Sequence, residues 1–194
     1  MFVFLLLFGI MLPDVSANMG LPMLGLAWPV FWIGLLPITL IEWLVMQKEI
    51  KYQPTNRLGL EIFYANFLST LFGIPITWFV MLVIQICIPG GGGTFPELSG
   101  TIWPYVLGVT VQAAWLIPYG SQFYWMVPVA FIVLLIPFFF ASYWIEGNFI
   151  AARLGKGFES KQALRKAAFK ANMFSYGMLL LVAIFTLIYQ IINK

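Results

Sequence analysis

Four apolar stretches, each long enough to cross a lipid bilayer as a helix, dominate the sequence; they lie near residues 21–46, 58–88, 124–145 and 173–192. Crossing the hydrocarbon core of a bilayer takes roughly 20 helical residues. Inside lipid a chain must satisfy its own backbone hydrogen bonds, and a helix does so within one segment. The sequence therefore predicts an all-α integral membrane protein with four transmembrane helices, with residues 18–194 forming a single domain.

The amino-acid composition also indicates a membrane protein. Hydrophobic residues make up 62% of the chain and charged residues 9%, whereas soluble domains carry about 25% charged residues. Because so few charges cannot cover a globule in water, the composition excludes soluble enzymes and disordered proteins. The formal net charge of +3 is too small to indicate a nucleic-acid partner.

The chain lacks the residues that most protein chemistry requires. It contains no histidine, one aspartate (Asp14) and one cysteine (Cys87). This excludes a Ser-His-Asp triad, a His-ligated zinc or haem site, a catalytic aspartate pair and an intrachain disulfide. We expect a non-catalytic protein with no metal or other cofactor, while contact of its many aromatic side chains with lipid or a pigment stays open.

The N-terminal segment is similar to a secretory signal. Residues 1–12 are apolar throughout, and Val15-Ser16-Ala17 offers small residues for cleavage. No Lys or Arg precedes the apolar run, so cleavage and retention as an anchor are both open. Residues 1–17 are expected to be a signal-like or signal-anchor segment, too short to span a bilayer.

The positive charges predict the topology. Apart from the last residue they form two clusters, one between the first two spans and one before the last span: Lys48, Lys51 and Arg57, then Arg153, Lys156, Lys161, Arg165, Lys166 and Lys170. Cytoplasmic loops carry an excess of Lys and Arg. Four spans place both clusters on one side, whereas a fifth span at residues 101–119 would separate them. We therefore expect cytoplasmic basic loops and an external C-terminus.

Residues 101–119 are apolar enough to span, but the charge pattern favours an interfacial or re-entrant segment on the outer face. Aromatic residues crowd this stretch and its downstream flank: Trp103, Tyr105, Trp115, Tyr119, Tyr124 and Trp125. Amphipathic rings prefer the level of the lipid headgroups, which agrees with an interfacial position. A fifth transmembrane helix is the alternative.

Four spans bring polar side chains from distant segments to one depth near the cytoplasmic side. The candidate polar layer comprises Glu42, Glu61, Asn66, Glu146, Asn148 and Asn172, with Tyr64, Ser69, Tyr143, Ser175 and Tyr176 nearby. Ionisable groups at membrane depth are costly and indicate a functional site. However, each carboxylate lies near a helix end, so contacts that only hold the bundle together are the favoured interpretation.

The expected partners of the three glutamates differ. Arg57 lies four residues before Glu61, a spacing that predicts an ion pair on one helix face. Glu42 and Glu146 have no basic residue at such a spacing in their own helices. Loop cations, a bound cation or a proton are the open possibilities for these two.

The second basic cluster is predicted to be helical, with Ser160 as its N-cap. Its candidate lipid-headgroup contacts are Arg153, Lys161, Arg165, Lys166 and Lys170. Basic residues next to a span are attracted to the anionic lipids of the inner leaflet. A docking surface for a protein partner is the alternative.

Several strings together resemble an uncharacterised group of bacterial polytopic inner-membrane proteins. They are ANMGLPM at 17–23, ANFLSTLFGIP at 65–75, QAAWLIPY at 112–119, YWMVP at 124–128 and IPFFFAS at 136–142. The resemblance implies residence in a bacterial inner membrane and a signal-like N-terminus. It implies no activity, ligand or functional residue.

The sequence favours a non-catalytic accessory or scaffold subunit of a larger inner-membrane or photosynthetic-membrane complex. Short loops, no catalytic set of residues, and more apolar surface than four helices can bury against each other support this expectation. The alternative is a transporter or channel subunit that uses the polar layer. Proline-interrupted first and second spans favour the alternative, but no inverted repeat is detectable.

Overall fold

The computed structural model of the chain describes residues 29–50, 55–88, 101–113, 123–155 and 160–193. Over these residues the chain is helical and has no strand, so the all-α class is confirmed. The helices are α1 (Pro29–Ile50), α2 (Thr55–Leu68), α3 (Ile74–Cys87), α4 (Trp103–Val109), α5 (Phe123–Leu154) and α6 (Lys161–Ile192). A π-helical turn (Ser69–Gly73) joins α2 to α3. The signal-like segment predicted at residues 1–17 lies outside the described residues.

Three helical stretches are long and apolar enough to cross a membrane: Arg57–Cys87, Tyr124–Leu154 and Lys161–Ile192. They contain three of the four expected spans. Helix α1, with 22 residues, covers the described part of the remaining stretch. Because α6 begins at Lys161, the basic segment and the last span form one continuous helix. Ser160 caps it as expected, its side chain accepting a hydrogen bond from the Ala163 amide at 3.4 Å.

Two antiparallel helix pairs form the bundle: the first hairpin is α1 with α2, and the second is α5 with α6. Helices α1 and α5 end, and α2 and α6 begin, at one end of the bundle, which we call the basic end. Here Lys170 Nζ lies 2.7 Å from Glu49 Oε2, and Arg153 Nε lies 3.0 Å from Glu61 Oε2. These ion pairs place the two basic clusters at the same end.

An apolar core fills the basic end of the bundle. It contains side chains of all four hairpin helices: Met46, Leu58, Ile62, Ala65, Ile150, Ala151, Leu154, Leu164, Ala167, Ala168 and Ala171. Alanines dominate the contribution of α6, and small side chains let neighbouring helix backbones approach closely.

A second apolar core lies at the opposite end, which we call the far end. Met81 of α3 packs there with Val109 at the end of α4 and Met126 of α5. Helix α4 has seven residues and is about 10 Å long, far shorter than the hydrocarbon core of a bilayer. Within the described part of residues 101–119, the helix is therefore too short to span.

The π-helical turn coincides with a proline and a glycine. Pro75 occupies the first turn of α3 and has no amide proton for the carbonyl of the preceding turn. A Cβ atom on Gly73 would lie 3.6 Å from Ile145 Cδ1 and 3.8 Å from Ala141 Cβ. The π-helical turn therefore lies directly against α5, and such turns often mark functional positions in helices.

Candidate functional site: a buried glutamate pair

Six polar side chains meet inside the bundle, next to the apolar core of the basic end. This polar cluster consists of Glu42, Asn66, Ser69, Glu146, Asn172 and Ser175, and each side chain is at most 3% exposed. All four hairpin helices contribute, since Ser69 is the first residue of the π-helical turn that continues α2. At this level of the bundle, each helix has polar rather than apolar residues on its buried face. Such burial requires that the polar groups satisfy each other.

Glu42 accepts a hydrogen bond at each of its carboxylate oxygens. The Asn66 amide donates to Oε2 at 2.6 Å, and the Ser175 hydroxyl bonds to Oε1 at 2.7 Å. Asn66 belongs to the same hairpin as Glu42, whereas Ser175 belongs to the other hairpin. Glu42 therefore ties the two hairpins together.

Glu146 has the same arrangement with the hairpins exchanged. The Asn172 amide donates to Oε2 at 2.7 Å, and the Ser69 hydroxyl bonds to Oε1. Asn172 belongs to the same hairpin as Glu146, and Ser69 to the other. Every carboxylate oxygen of the two glutamates thus has one partner from a neutral side chain.

The supporting backbone contacts repeat as well. The Asn66 amide also donates to the Ile62 carbonyl, and the Asn172 amide to the Ala168 carbonyl, both at 3.1 Å. Each serine hydroxyl also lies within hydrogen-bond distance of the carbonyl three residues before it, at 3.0 Å for Ser69 and 3.2 Å for Ser175. These contacts fix the orientation of the amides and hydroxyls that face the carboxylates.

This symmetry has a signature in the sequence. Ala-Asn-x-x-Ser occurs at 65–69 and again at 171–175, and each motif follows an Ile-Glu pair, at 41–42 and 145–146. The glutamate and the asparagine are 24 residues apart in the first hairpin and 26 in the second. The hairpins run in the same direction, so the repeat is parallel, related by an approximate twofold axis along the bundle.

The two carboxyl groups also face each other within hydrogen-bond range. We call Glu42 and Glu146 the glutamate pair. Among the described residues, the basic side chains that form ion pairs do so with Glu49 and Glu61 instead. The glutamate pair is therefore surrounded by neutral donors.

A pair of hydroxyl groups lies next to the polar cluster on its far-end side. The Ser142 and Tyr176 hydroxyls are 2.8 Å apart. Ser142 precedes Glu146 by one helical turn and Tyr176 follows Asn172 by one turn. The Tyr176 hydroxyl lies close enough to both glutamates for their charges to act on it. Ser142 was not among the residues that the sequence singled out.

The structure divides the predicted polar layer into two levels. Four of its six residues, Glu42, Asn66, Glu146 and Asn172, come together, and Ser69 and Ser175 complete the cluster. Glu61 and Asn148 lie nearer the basic end. Glu61 pairs with Arg153 rather than with the expected Arg57, and the Asn148 side-chain carbonyl accepts from Arg165 at 2.8 Å.

The candidate lipid contacts are all exposed at the basic end: Arg153, Lys161, Arg165, Lys166 and Lys170. Three of them already have a partner within the chain, since Arg153, Arg165 and Lys170 contact Glu61, Asn148 and Glu49. Such exposed contacts compete weakly with lipid phosphate, because surface ion pairs contribute little free energy. The positions are therefore compatible with headgroup contact.

Sequence reasoning missed the repeat because the helices carrying it are apolar and their surrounding residues differ. A search for Glu followed by Asn-x-x-Ser would have found it. No group of three or more metal-ligating His, Cys, Asp or Glu residues occurs in the described ranges.

Comparison with known proteins leaves the resemblance to bacterial inner-membrane proteins a prediction. The chain matches no family profile, no curated protein and no solved structure.

Proposed function

We propose that the protein crosses a bacterial inner or photosynthetic membrane four times, with both basic loops in the cytoplasm and the C-terminus outside. Helix α1 is the first span in chain order and is added to the three long helical stretches, since its 22 residues extend about 33 Å. The short α4 then belongs to an interfacial or re-entrant segment on the outer face. The meeting of both basic clusters at one end supports this arrangement.

Cysteine labelling tests the topology. Two variants are made in which Cys87 is replaced by serine and a single cysteine replaces either Gly92 or Gly157. Each variant is treated with a membrane-impermeant maleimide from either side of the membrane. Four spans require labelling of the two positions from opposite sides. Labelling of both from the same side would contradict the proposal.

We propose further that the protein is a non-catalytic transporter or channel subunit in which the glutamate pair binds and releases a proton. The observation that carries this proposal is the pairing of two buried carboxyl groups with neutral donors only. Two ionised carboxylates in contact inside a bundle repel each other and lose their hydration. A single shared proton removes one charge and allows a hydrogen bond between the two carboxyl groups.

The serine hydroxyls suit both protonation states. Each hydroxyl has one proton, which it can donate to a carboxylate or to the carbonyl three residues before it. In the second case its oxygen accepts from a protonated carboxyl group. Ser69 and Ser175 can therefore follow a change of protonation by rotating, without movement of a helix.

The test is proton flux through the reconstituted full-length protein. Liposomes with an imposed membrane potential and an internal pH dye compare the wild type with Glu42→Gln and Glu146→Gln. We expect both variants to fall to the rate of empty liposomes, whereas Glu49→Gln, an exposed glutamate of the same helix as Glu42, keeps the wild-type rate. Unchanged flux in either cluster variant would refute the proposal. Sodium flux without proton flux would show that the glutamate pair serves sodium rather than a proton.

The second candidate is the accessory or scaffold subunit of a larger membrane complex. Large aromatic side chains on the outer faces of α5 and α6 favour it, including Phe140, Trp144, Phe174 and Phe185. Lipid contacts these faces in a membrane, and further integral subunits are proposed as additional occupants. Purification in mild detergent distinguishes the candidates: a stoichiometric membrane partner supports a subunit role, and a stable lone monomer excludes it.

A further inference from the structure

We infer that protons reach the glutamate pair from the far end of the bundle, past the hydroxyl groups of Ser142 and Tyr176. This inference rests on the proposed proton binding and adds the route and the residues that serve it. It depends on a difference between the two sides of the polar cluster.

The basic-end side of the cluster is closed by apolar side chains. One helical turn from Glu42, Asn66, Glu146 and Asn172, each helix buries an apolar residue; these four are Met46, Ile62, Ile150 and Ala168, and none is more than 1% exposed. We call them the apolar plug. With no hydroxyl, amide or carboxyl side chain among them, they offer no side-chain group that can pass a proton to or from the basic end in this conformation.

The far-end side presents hydroxyl groups at the corresponding distance. Ser142 lies one turn before Glu146, and Tyr176 lies one turn after Asn172. The hydroxyls of Ser142 and Tyr176 are hydrogen-bonded to each other. The Tyr176 hydroxyl lies within electrostatic reach of both members of the glutamate pair. A tyrosine hydroxyl can accept one proton while it donates another, as a relay requires.

Buried polar atoms without a hydrogen-bond partner also lie mostly on the far-end side of the polar cluster. Among the described residues, the buried oxygens without a hydrogen-bond partner belong to Thr39, Thr77, Gln85, Asn172 and Gln190. Asn172 is in the polar cluster, and the other four lie on the far-end side of it along their helices. Buried polar groups without a protein partner are usually satisfied by water. Water is therefore expected on the far-end side, where the unpartnered Thr77 lies one turn before Met81 of the second apolar core, and not in the apolar plug.

The relay conserves charge at each step. Tyr176 passes its proton through a bridging water to a carboxylate oxygen of the pair while its own oxygen takes the proton of Ser142. Ser142 in turn takes a proton from a hydronium ion in the far-end water, which leaves a neutral water molecule. The net result is one proton moved from far-end water to the glutamate pair, with both hydroxyls restored.

The test is the rate at which the carboxyl proton exchanges with deuterium. The full-length protein in lipid is moved from H₂O to D₂O while infrared spectroscopy follows the carbonyl band of the protonated carboxyl, assigned with Glu42→Gln and Glu146→Gln. We expect Tyr176→Phe to slow the exchange about a hundredfold, the lower end of what a positioned proton carrier contributes. Ser142→Ala, which likewise removes one hydroxyl group, is also expected to slow the exchange.

One control separates the relay from packing. Tyr143→Phe also removes a tyrosine hydroxyl, from a side chain packed against Phe169, and should exchange at the wild-type rate. Wild-type exchange in both Tyr176→Phe and Ser142→Ala, or exchange slowed equally in Tyr143→Phe, would overturn the route alone. Absence of any protonated carboxyl band that depends on the glutamate pair would instead overturn the proposed proton binding.

Discussion

The two hairpins supply the same groups to the polar cluster, but they differ in the turn that follows it. In the first hairpin, α2 widens into a π-helical turn at Ser69, and Thr70 and Ile38 occupy the positions one turn beyond Asn66 and Glu42. In the second hairpin, α6 continues as an α-helix, and Tyr176 and Ser142 occupy those positions.

The comparison separates two tasks. The repeated groups hold two carboxyl groups in contact, which needs equal donors from both sides. The groups that are not repeated make the surroundings of the glutamate pair unequal, because the second hairpin has two hydroxyl groups hydrogen-bonded to each other where the first has an isoleucine and a threonine. A shared proton can therefore be held symmetrically and delivered asymmetrically.

The largest expected effect comes from removing either carboxyl group. Glu146→Leu leaves one N–H of the buried Asn172 amide without its acceptor, and Glu42→Leu does the same to Asn66, whereas the serine hydroxyls can still donate to the carbonyls three residues before them. Each buried donor left unpaired costs roughly 1–3 kcal/mol, so we expect a similar large loss of unfolding free energy in both variants. Unfolding in mixed detergent measures it.

Glu49→Leu is the matched control for these two variants. Its carboxylate forms an exposed ion pair with Lys170, and such pairs contribute about 0–1 kcal/mol. A large loss for one cluster glutamate and none for the other would show that the hairpins are not equivalent.

The next largest effect is the energetic coupling between residues of the two hairpins. The serine bonds cross between hairpins, so Glu42 should be energetically coupled to Ser175, and Glu146 to Ser69. Double-mutant cycles with Glu→Gln and Ser→Ala are expected to give about 0.5–3 kcal/mol for these pairs. The cycles that combine Glu42 with Ser69, or Glu146 with Ser175, serve as controls. Equal coupling in all four cycles would contradict the crossed arrangement.

A smaller effect distinguishes the π-helical turn from the continuous helix. Gly73 lies against α5, whereas a Cβ atom on Gly177 would meet nothing within 4 Å. Gly73→Leu should therefore lower the unfolding free energy by roughly 1–3 kcal/mol through overpacking. Gly177→Leu should be tolerated. Because leucine favours a helix more than glycine does at both positions, a comparable loss in both variants would contradict contact with α5 as the cause.

The smallest effect concerns the ion pairs of the basic end. Arg153→Ala leaves the Glu61 side chain, 7% exposed, without its cation, whereas the Glu49 side chain facing Lys170 is 37% exposed. We expect a loss of about 1 kcal/mol for Arg153→Ala and less for Lys170→Ala. Added salt should reduce the second effect more, since exposed charges are screened more strongly.

Much of the fold could be predicted because lipid allows few alternatives. Long apolar stretches must be helices, and the stretches at 58–88, 124–145 and 173–192 lie within helices of the structure. Helix ends were harder to place: α6 begins at Lys161, because a basic, alanine-rich segment continues a helix as readily as an apolar one.

The site could be predicted only in part. The sequence placed Glu42, Asn66, Glu146 and Asn172 at one depth, because charges and turns fix the depth of a residue along a helix. It did not separate Glu61 from this set, since depth alone does not tell which face of a helix is buried. It also assigned Arg57 to Glu61, although Arg153 of another helix is the partner, because local spacing reports only contacts within one helix.

The sequence by itself determined that this protein is helical and apolar and that it has no histidine, one aspartate and one cysteine. The reason is that composition and hydropathy act on every residue, whatever its neighbours. Only the tertiary structure decided that Glu42 and Glu146 face each other and that each is held by one donor from either hairpin. That contact depends on the rotation of four helices about their axes, which packing between helices sets and no single helix encodes.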